Sequence, residues 1–393
     1  MVALSQEERI YAEQGRFAIP RSRNYLTHQA LREEILAALE PMLFSANDSS
    51  YRARKDFEEA FAAEVEQTWA VGVHSGTCGL FLALRACGVG PGDEVITVAN
   101  SDISTTAAIS NCGATPVLCD LRASDYNMDP DLVEALISDR SRALLPVDMH
   151  GHPADVKRLR EIADRHGLTI VEDACLATGA RDYGRSVGVY ADAVVFSFAP
   201  YKPFGGVGSG AAVATSEPRV HEKLRLLTAY GAGRSEGREE EIPGRQYAID
   251  EGYNLSLDGL QAAVLRVKLP WLRQWTQQRR EIVEWYREGL AGTTAVLPSF
   301  RPGSEPTFRS FTIGVDNQQE CYHGLRAAGV EAALHYTPPV HHYEVYRHGL
   351  PNAANLPVTE RLADRLLTLP VTQEFTREDI DYVTRELRAL LRQ

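Results

Sequence analysis

Residues 70–87 read AVGVHSGTCGLFLALRAC: a short apolar run, a turn of small residues and a helix-like segment. Six further apolar runs follow as far as residue 215, and helical patterns separate several of them. The seven runs are AVGVH (70–74), EVITVA (94–99), TPVLCD (115–120), ALLPVD (143–148), TIVED (169–173), AVVFSF (193–198) and GAAVAT (210–215). Because these runs are apolar on both faces, they predict a mainly parallel sheet covered by helices on both sides.

The flanks of this region predict an N-terminal arm with helices and a smaller C-terminal domain. Five leucine and isoleucine residues lie at helical spacing in the first 45 residues, and another amphipathic helix is predicted at 57–65. The polar segment 231–254 predicts a long surface loop, and a long helix after it is broken or kinked at Pro270. FTIGV and helices near 318–328 and 376–391 complete the chain. We therefore place an N-terminal arm and large domain at 1–270 and a small domain at 271–393.

Composition excludes several classes of protein. The 393 residues include 41 Lys and Arg against 53 Asp and Glu, for a net charge of −12, which does not suit a protein that coats nucleic acid. No apolar run is long enough for a membrane span, and no signal peptide is visible, so we expect a cytoplasmic protein. Six scattered cysteines without a C-x-x-C pair predict small buried side chains rather than a zinc ribbon or a disulfide framework.

The turn Ser75-Gly76-Thr77 is the first of three features that carry chemistry. It lies between a predicted strand and a predicted helix, where free backbone N–H groups and the helix dipole favour a phosphate. The same residues are also compatible with an ordinary helix N-cap.

Two further features follow predicted strands. Glu172 and Asp173 end TIVED, where parallel sheets hold ligands, although either acid could instead be a solvated surface group. Lys202 follows AVVFSF between aromatic residues and prolines, so burial could lower its pKa and make it a nucleophile or base. A lysine beside glycines is otherwise usually a surface residue.

Together, a phosphate cradle, a strand-end acid and a lysine about 30 residues later fit pyridoxal 5'-phosphate (PLP). This cofactor needs an anchor for its phosphate, a lysine for the Schiff base and an acid that keeps the pyridine nitrogen protonated.

The motifs resemble those of the DegT/DnrJ/EryC1/StrS sugar aminotransferase family, in unbroken order over roughly residues 55–275. The matching stretches are VGVHSGTCGLFLAL, GVGPGDEVITVA, GATPVLCD, HGHPADVKRLREIADRHGLTIVEDA, FSFAPYKPFGGVGSGAAV and EGYNLSLDGLQAAVLRVKL, with weaker similarity in HYTPPVH (335–341). The resemblance implies the α/β architecture of fold-type I PLP-dependent transferases, with a mainly parallel sheet in the large domain and a smaller α+β C-terminal domain. It also implies an aminotransferase that moves an amino group from glutamate or glutamine to a keto-sugar, nucleotide-linked or free, or to an aminocyclitol precursor. The pathway would be natural-product or surface-glycan biosynthesis.

The resemblance also implies roles for individual residues. Lys202 would carry the cofactor and move the substrate proton, and Asp173 would pair with the pyridine nitrogen. The phosphate would be held by Ser75, Gly76, Thr77 and Ser197. Asn254 matches an asparagine that reaches the phosphate of the neighbouring subunit, which implies a homodimer with shared sites and a loop before Asn254 that is ordered only in the dimer.

Four positions depart from the family pattern, and two of them line the expected cofactor site. Asp102 replaces an aromatic residue that stacks on the cofactor ring, and Leu176 replaces a glutamine near the ring hydroxyl. Asp148 and His150 stand in VDMHG, where the family reads VHLYG. These changes leave open a PLP enzyme of the same fold that catalyses elimination, aldol cleavage, decarboxylation or oxidation of an amino substrate. A regulatory or structural protein without activity is disfavoured by the intact Lys202–Asp173 pair.

Three residues remain as substrate candidates: His150, Arg309 and His341. Arg309 could bind a carboxylate or a phosphate, or could equally lie on the surface. The histidines at 150, 152, 341 and 342 have no accompanying acidic set in the sequence, so we predict substrate or loop contacts and no metal site.

Overall fold

The computed structural model describes residues 17–44, 49–231 and 248–392. The first 16 residues of the predicted arm, and residues 232–247 of the predicted loop with its ordering in a dimer, lie outside this description.

Three helices precede the first strand. They are α1 (Asn24–Ala30), α2 (Arg32–Phe44) and α3 (Ser49–Glu64). The helix predicted at 57–65 therefore begins earlier, at Ser49. Its inner face packs Phe57 and Phe61 into a fully buried aromatic cluster with Phe196, Phe198 and Phe204, which lie on both sides of Lys202 in the chain.

All seven predicted strands are confirmed as one sheet. They are β1 (Trp69–Val73), β2 (Glu94–Val98), β3 (Thr115–Cys119), β4 (Ser141–Leu144), β5 (Thr169–Asp173), β8 (Ala193–Ser197) and β9 (Ala211–Thr215), with the short pair β6 (Arg181–Asp182) and β7 (Arg185–Ser186) between β5 and β8. The sheet order is β1-β9-β8-β5-β4-β2-β3. Strand β9 is antiparallel to both of its neighbours, and the other neighbouring pairs are parallel. The mainly parallel α/β fold follows, because most of these strands are buried on both faces.

Helices cover the sheet, as the alternating pattern predicts. They are α4 (Gly76–Ala86), α5 (Ile103–Asn111), α6 (Pro130–Val133), α7 (Val156–His166) and α8 (Pro218–Thr228). Helix α4 lies against β8, and a Cβ placed on Gly79 would come within 2.7 Å of Val195 Cγ1. This glycine therefore lets the helix approach the sheet closely and brings its first turn to the end of β8.

The long C-terminal helix pattern is interrupted at Pro270, as predicted. Helix α9 (Gly259–Lys268) passes through a 3-10 turn (Leu269–Trp271) into α10 (Leu272–Leu290). Leu272 of α10 packs with the large sheet, whereas Tyr286 packs in a separate core with Phe311. Helix α10 thus joins two hydrophobic cores, and the boundary at residue 270 stays a prediction.

The remaining elements build the second core. They are β10 (Ser304–Glu305), β11 (Ser310–Gly314), α11 (Gln318–Ala327), α12 (Pro357–Ala363), β12 (Leu366–Pro370) and α13 (Arg377–Leu390). Strands β11 and β12 are antiparallel, and β10 pairs with β6 of the large domain. The helices predicted near 318–328 and 376–391 are confirmed. Within the described ranges, no helix combines the length and the apolar character that crossing a membrane requires.

Candidate active site

The polar residues named from the sequence meet at one edge of the sheet. Strands β1, β5 and β8 run in the same direction, so their carboxyl ends share this edge. Asp173 ends β5, Ser197 ends β8, and the first turn of α4 follows β1. Lys202 comes shortly after Ser197. This is the edge where open α/β sheets bind ligands.

The turn after β1 forms a cradle that suits a phosphate. Ser75 is the N-cap of α4, because its Oγ accepts the N–H of Cys78 at 3.3 Å. A Cβ on Gly76 would lie 2.9 Å from Cys175 Sγ and 3.3 Å from Ser197 Cβ, so glycine is needed for this close approach. The hydroxyls of Thr77 and Ser197 make no hydrogen bond to the described residues, and the first-turn N–H groups have no intrahelical acceptor. The same turn can therefore serve both as the N-cap of α4 and as a cradle for an anion.

Asp173 is a buried and firmly anchored acid. Thr105 Oγ1 donates to its Oδ2 at 2.9 Å, and the backbone N–H of Cys175 donates to its Oδ1 at 3.2 Å. Ser101 extends the chain with a 2.7 Å contact to the Thr105 hydroxyl. Burial raises the pKa of Asp173, and these hydrogen bonds together with the charge of Lys202 oppose the rise. A fixed carboxylate of this kind can pair with a protonated pyridine nitrogen.

Lys202 lies in a loop that its neighbours hold in place. Asn24 donates a hydrogen bond to Pro200 O, and Gln261 Oε1 accepts the N–H groups of Val207 and Gly208 at 3.0 and 3.2 Å. Burial is the main cause that lowers the pKa of Lys202, and the charge of Arg309 lowers it further. Cys175, Asp173 and Asp102 act in the opposite direction. A lysine with a lowered pKa can act as a nucleophile and as a base.

The two departures at the cofactor site have plain structural roles. Asp102 is exposed and caps α5, because its Oδ1 accepts the N–H of Ser104 at 2.9 Å. Leu176 is half-buried and packs against the core of the sheet. The carboxylate of Asp102 therefore serves a helix terminus and contributes charge near Lys202.

Asp148 and Glu172 form a buried carboxyl pair that the sequence did not indicate. Asp148 Oδ1 accepts the N–H of Ala154 at 2.8 Å, and the Glu172 side chain lies beside this carboxyl group. Burial raises the pKa of both groups, and the charge of Asp148 raises that of Glu172 further. Since successive strand residues point to opposite faces, Asp173 faces the cradle and Glu172 faces away from it. Both acids are buried, so the alternative of a solvated surface acid was wrong, and the role of Asp173 at the cofactor stays a prediction.

His150 and Arg309 are joined by a backbone hydrogen bond. His150 has a φ of 58° in the turn 149–151, and its carbonyl accepts the N–H of Arg309 at 2.9 Å. Burial lowers the pKa of His150, and its Nε2 has no hydrogen bond to any residue that the structure describes. Arg309 is buried, so the surface alternative for it was wrong.

His341 has an acidic neighbour that sequence reasoning missed. Its Nε2 lies 2.6 Å from Glu360 Oε1, and His342 Nε2 lies 2.8 Å from the same oxygen. The expectation that no acidic set accompanies these histidines was therefore wrong for His341 and His342, because one ligand atom of each and a carboxylate oxygen of Glu360 lie within 4.8 Å of one another. Glu360 comes from α12, and nothing local in the sequence connects it with HYTPPVH.

Asn254 is exposed. Its backbone bridges Ala229, and its side chain has no hydrogen bond to the described part of the chain. It remains a predicted partner for another subunit.

Comparison with known proteins agrees with this geometry. The DegT/DnrJ/EryC1/StrS aminotransferase family matches residues 29–388. The chain is 40% identical over 351 residues to dTDP-3-amino-3,4,6-trideoxy-alpha-D-glucose transaminase from Streptomyces venezuelae, covering 89% of this chain and 90% of that protein.

Solved structures extend the similarity to the fold. The structure of S. venezuelae DesV has a TM-score of 0.87 at 38% identity and covers 96% of this chain and 99% of its own. NtdA from Bacillus subtilis, with bound cofactor PMP, the amino form of PLP, has a TM-score of 0.82 at 28% identity and covers 92% and 82%. The cradle, the anchored acid and the lysine fit this cofactor, and PLP is the cofactor of this enzyme. The chain belongs to the DegT/DnrJ/EryC1/StrS aminotransferase family.

Proposed function

We propose that this aminotransferase moves the amino group of glutamate or glutamine to the ketone of a nucleotide-linked sugar. The observation that carries the proposal is the convergence of an open phosphate cradle, Asp173 and Lys202 at one sheet edge. The keto-sugar class comes from the similarity to a dTDP-sugar transaminase over most of both chains. A free keto-sugar or an aminocyclitol precursor belongs to the same chemical class of acceptor.

The residues divide the work by position. Thr77, Ser197 and the first-turn N–H groups would hold the cofactor phosphate, and Asp173 would balance the positive charge of its ring nitrogen. When bound, the cofactor supplies a ring that accepts electrons. Lys202 Nζ would take the proton from the α-carbon of the donor and return it to a carbon of the cofactor, because burial lowers its pKa and so favours the neutral amine over the ammonium form. The loop contacts from Asn24 and Gln261 keep this amine aimed at the site.

We further propose that the enzyme works as a homodimer in the cytoplasm, with Asn254 completing the partner's phosphate site. The exposure of Asn254 and its open amide support a contact between subunits. The six cysteines are all free thiols, which supports a reducing compartment. Neither departure at Asp102 or Asp148 favours a different reaction, since one caps a helix and the other pairs with Glu172.

A spectroscopic half-reaction tests this function. The PLP-loaded protein should show a visible band that glutamate or glutamine shifts to the amino form, and a dTDP-linked keto-sugar should restore the band. Lys202→Ala should lose both changes and reduce turnover by roughly 10⁴-fold. The exposed Lys55→Ala should behave as the unmodified protein. If no amino donor shifts the band while an amine substrate is consumed, the reaction is not a transamination.

A further inference from the structure

Two neighbouring histidines and a glutamate form a cluster of metal-ligand types that the proposed mechanism does not use. His341 and His342 belong to the 3-10 turn Val340–His342, and Glu360 lies in α12. The Nε2 atoms of the two histidines lie 2.6 and 2.8 Å from the same oxygen of Glu360, Oε1. One nitrogen of each ring and a carboxylate oxygen all lie within 4.8 Å of one another. Two segments that are distant in the sequence thus bring three ligand atoms to one point.

The charge of Glu360 has no permanent cation beside it. Within the described ranges its ion-pair contacts are with His341 and His342, which carry a charge only when they are protonated. When both rings are neutral, the carboxylate charge is unbalanced and each imidazole has an electron pair to share. A divalent cation at this point would balance the charge and accept both electron pairs, because metal ligands act in their deprotonated form.

The turn that carries the histidines is held against the large sheet by other contacts. The N–H of Val340 donates to Ala99 O at 3.0 Å, directly after β2. Four residues earlier, the N–H of Tyr336 donates to Asn100 Oδ1 at 2.9 Å. Strand β2 runs parallel to β4, and β4 to β5, so segment 336–342 lies at the same sheet edge as the candidate active site.

The start of α12 is fixed independently. Asp120, which follows β3, accepts the N–H of Thr359 at 2.8 Å and its hydroxyl at 2.7 Å. It also accepts the N–H of Val358 at 2.8 Å. Glu360 is the next residue, so its Cα is positioned before any ligand binds. Ligands on a fixed backbone lose less conformational freedom when they bind an ion.

The spacing of the three ligand atoms fits a transition-metal ion after a small movement of side chains. Bonds of about 2.1 Å to Zn²⁺ place neighbouring ligands of a tetrahedral site about 3.4 Å apart. The observed 2.6 and 2.8 Å separations would have to widen by less than about 1 Å to reach this value. The side chains of His342 and Glu360 are 49% and 47% exposed, so both have room to move.

We propose that His341, His342 and Glu360 bind a divalent transition-metal ion of the Zn²⁺ class. Imidazole nitrogens suit Zn²⁺, Ni²⁺ and Cu²⁺, whereas Mg²⁺ and Ca²⁺ take oxygen ligands. Three protein ligands leave a fourth position for water. The ion fastens the turn 340–342 to α12 and so has a structural role. This proposal departs from the sequence-based expectation of no metal site, and it does not depend on the proposed function.

Calorimetric titration of the untagged, PLP-loaded full chain with Zn²⁺ tests the site. We expect saturable binding of one ion per chain near neutral pH. Glu360→Gln and His342→Ala should each weaken this binding by roughly 100-fold or more, because loss of even an outer partner of a metal ligand costs about 10- to 100-fold. Both side chains are about half exposed, so the fold should tolerate the changes. Mg²⁺ should show no saturable binding here.

Matched controls come from the same loop. Glu344→Gln removes an exposed carboxylate that pairs with Arg347, and His348→Ala removes an exposed histidine. Both variants should bind Zn²⁺ as the unmodified protein does. Zn²⁺ at 100 times the dissociation constant should raise the midpoint of thermal unfolding by about 3 °C in these three proteins. At the same concentration, neither Glu360→Gln nor His342→Ala should show this rise.

Three outcomes would overturn the assignment. They are the absence of saturable Zn²⁺ binding, equal affinities in the ligand variants and the controls, and Mg²⁺ binding as tight as that of Zn²⁺. Equal affinities would place the ion elsewhere, at a thiol or at the cofactor phosphate. The donor half-reaction is a separate measurement, because glutamate or glutamine should still shift the cofactor band in both ligand variants. Loss of that shift in every protein, with Zn²⁺ binding intact, would contradict the proposed function alone.

Discussion

The two sides of the active site differ in how their polar atoms are satisfied. We call Ser75, Gly76, Asp173 and Ser197 the cofactor wall and His150 and Arg309 the substrate wall, after the roles predicted for them. Both oxygens of Asp173 accept hydrogen bonds from the chain itself. On the substrate wall, Arg309 Nε and His150 Nε2 are buried without a hydrogen bond to the described residues. The chain therefore prebuilds the acid that the cofactor needs and leaves the substrate donors to be satisfied by a ligand.

Asp173→Asn should give the largest effect on this comparison. The amide can keep the hydrogen bond from the Cys175 N–H but removes the negative charge, so turnover should fall by roughly 10²- to 10³-fold. Thr105→Val removes only one supporting hydrogen bond and should cost far less. Turnover with saturating PLP and glutamate measures both. Equal losses in the two variants would mean that hydrogen bonding, and not charge, is what the cofactor wall provides.

The free energy of unfolding should distinguish a buried arginine that has hydrogen-bond partners from one that has none. Arg279 donates to Phe308 O, Val371 O and Gln373 Oε1, so Arg279→Met should reduce the free energy of unfolding by about 3 kcal/mol. Arg309→Met removes a buried charge without a partner, and the free energy of unfolding should stay within about 1 kcal/mol or rise. Urea unfolding of both variants measures the difference. A large loss in Arg309→Met would show that the chain itself satisfies this arginine.

Gly76→Ala probes the fit of the phosphate cradle. The added Cβ would lie 2.9 Å from Cys175 Sγ and displace the first turn of α4 from Ser197. We expect PLP to dissociate about 10-fold more readily, as for the loss of roughly one hydrogen bond to a charged group. Gly90→Ala is the control, because no atom lies within 4 Å of the Cβ that it would add. A fluorescence titration of the apoprotein with PLP gives both constants, and equal affinities in the two variants would contradict the cradle.

The smallest expected effect concerns pH and the Asp148–Glu172 pair. Burial and Asp148 raise the pKa of Glu172 in the folded protein, so its contribution to stability is complete below the unfolded pKa and decreases as the pH rises toward the folded pKa. Glu172→Gln keeps a donor toward Asp148 but cannot titrate. Its free energy of unfolding should therefore decrease less than that of the unmodified protein between pH 5 and pH 8. Parallel pH profiles of the two proteins would contradict a raised pKa of Glu172.

Local patterns account for what could be predicted. The seven strands follow from apolar runs of a few residues, since burial on both faces leaves its mark in consecutive positions. The break at Pro270 follows from the chemistry of one residue. Asp173 is recognisable because it ends such a run and Lys202 because it follows one closely, where the topology of parallel strands brings ligand-binding residues together.

Pairing between distant segments could not be predicted. Glu360 reaches His341 from a separate helix, and Asp148 meets Glu172 from another strand end. Asp102 looked like a change of chemistry but caps a helix, a role that depends on where α5 begins. In each case the partner is distant in the sequence, or the contact depends on the residue at which a helix begins. Neither kind of contact produces a periodic pattern in the sequence.

By itself, the sequence determined the α/β sheet, the phosphate turn, the strand-end acid and the lysine, because each depends on neighbouring residues. Only the tertiary structure decided that Arg309 is buried, that Arg21 occupies Glu331, and that an open cavity remains between them. The physical reason is that the cost of a buried charge depends on every group that folding brings near it. A local stretch of sequence does not show which groups these are.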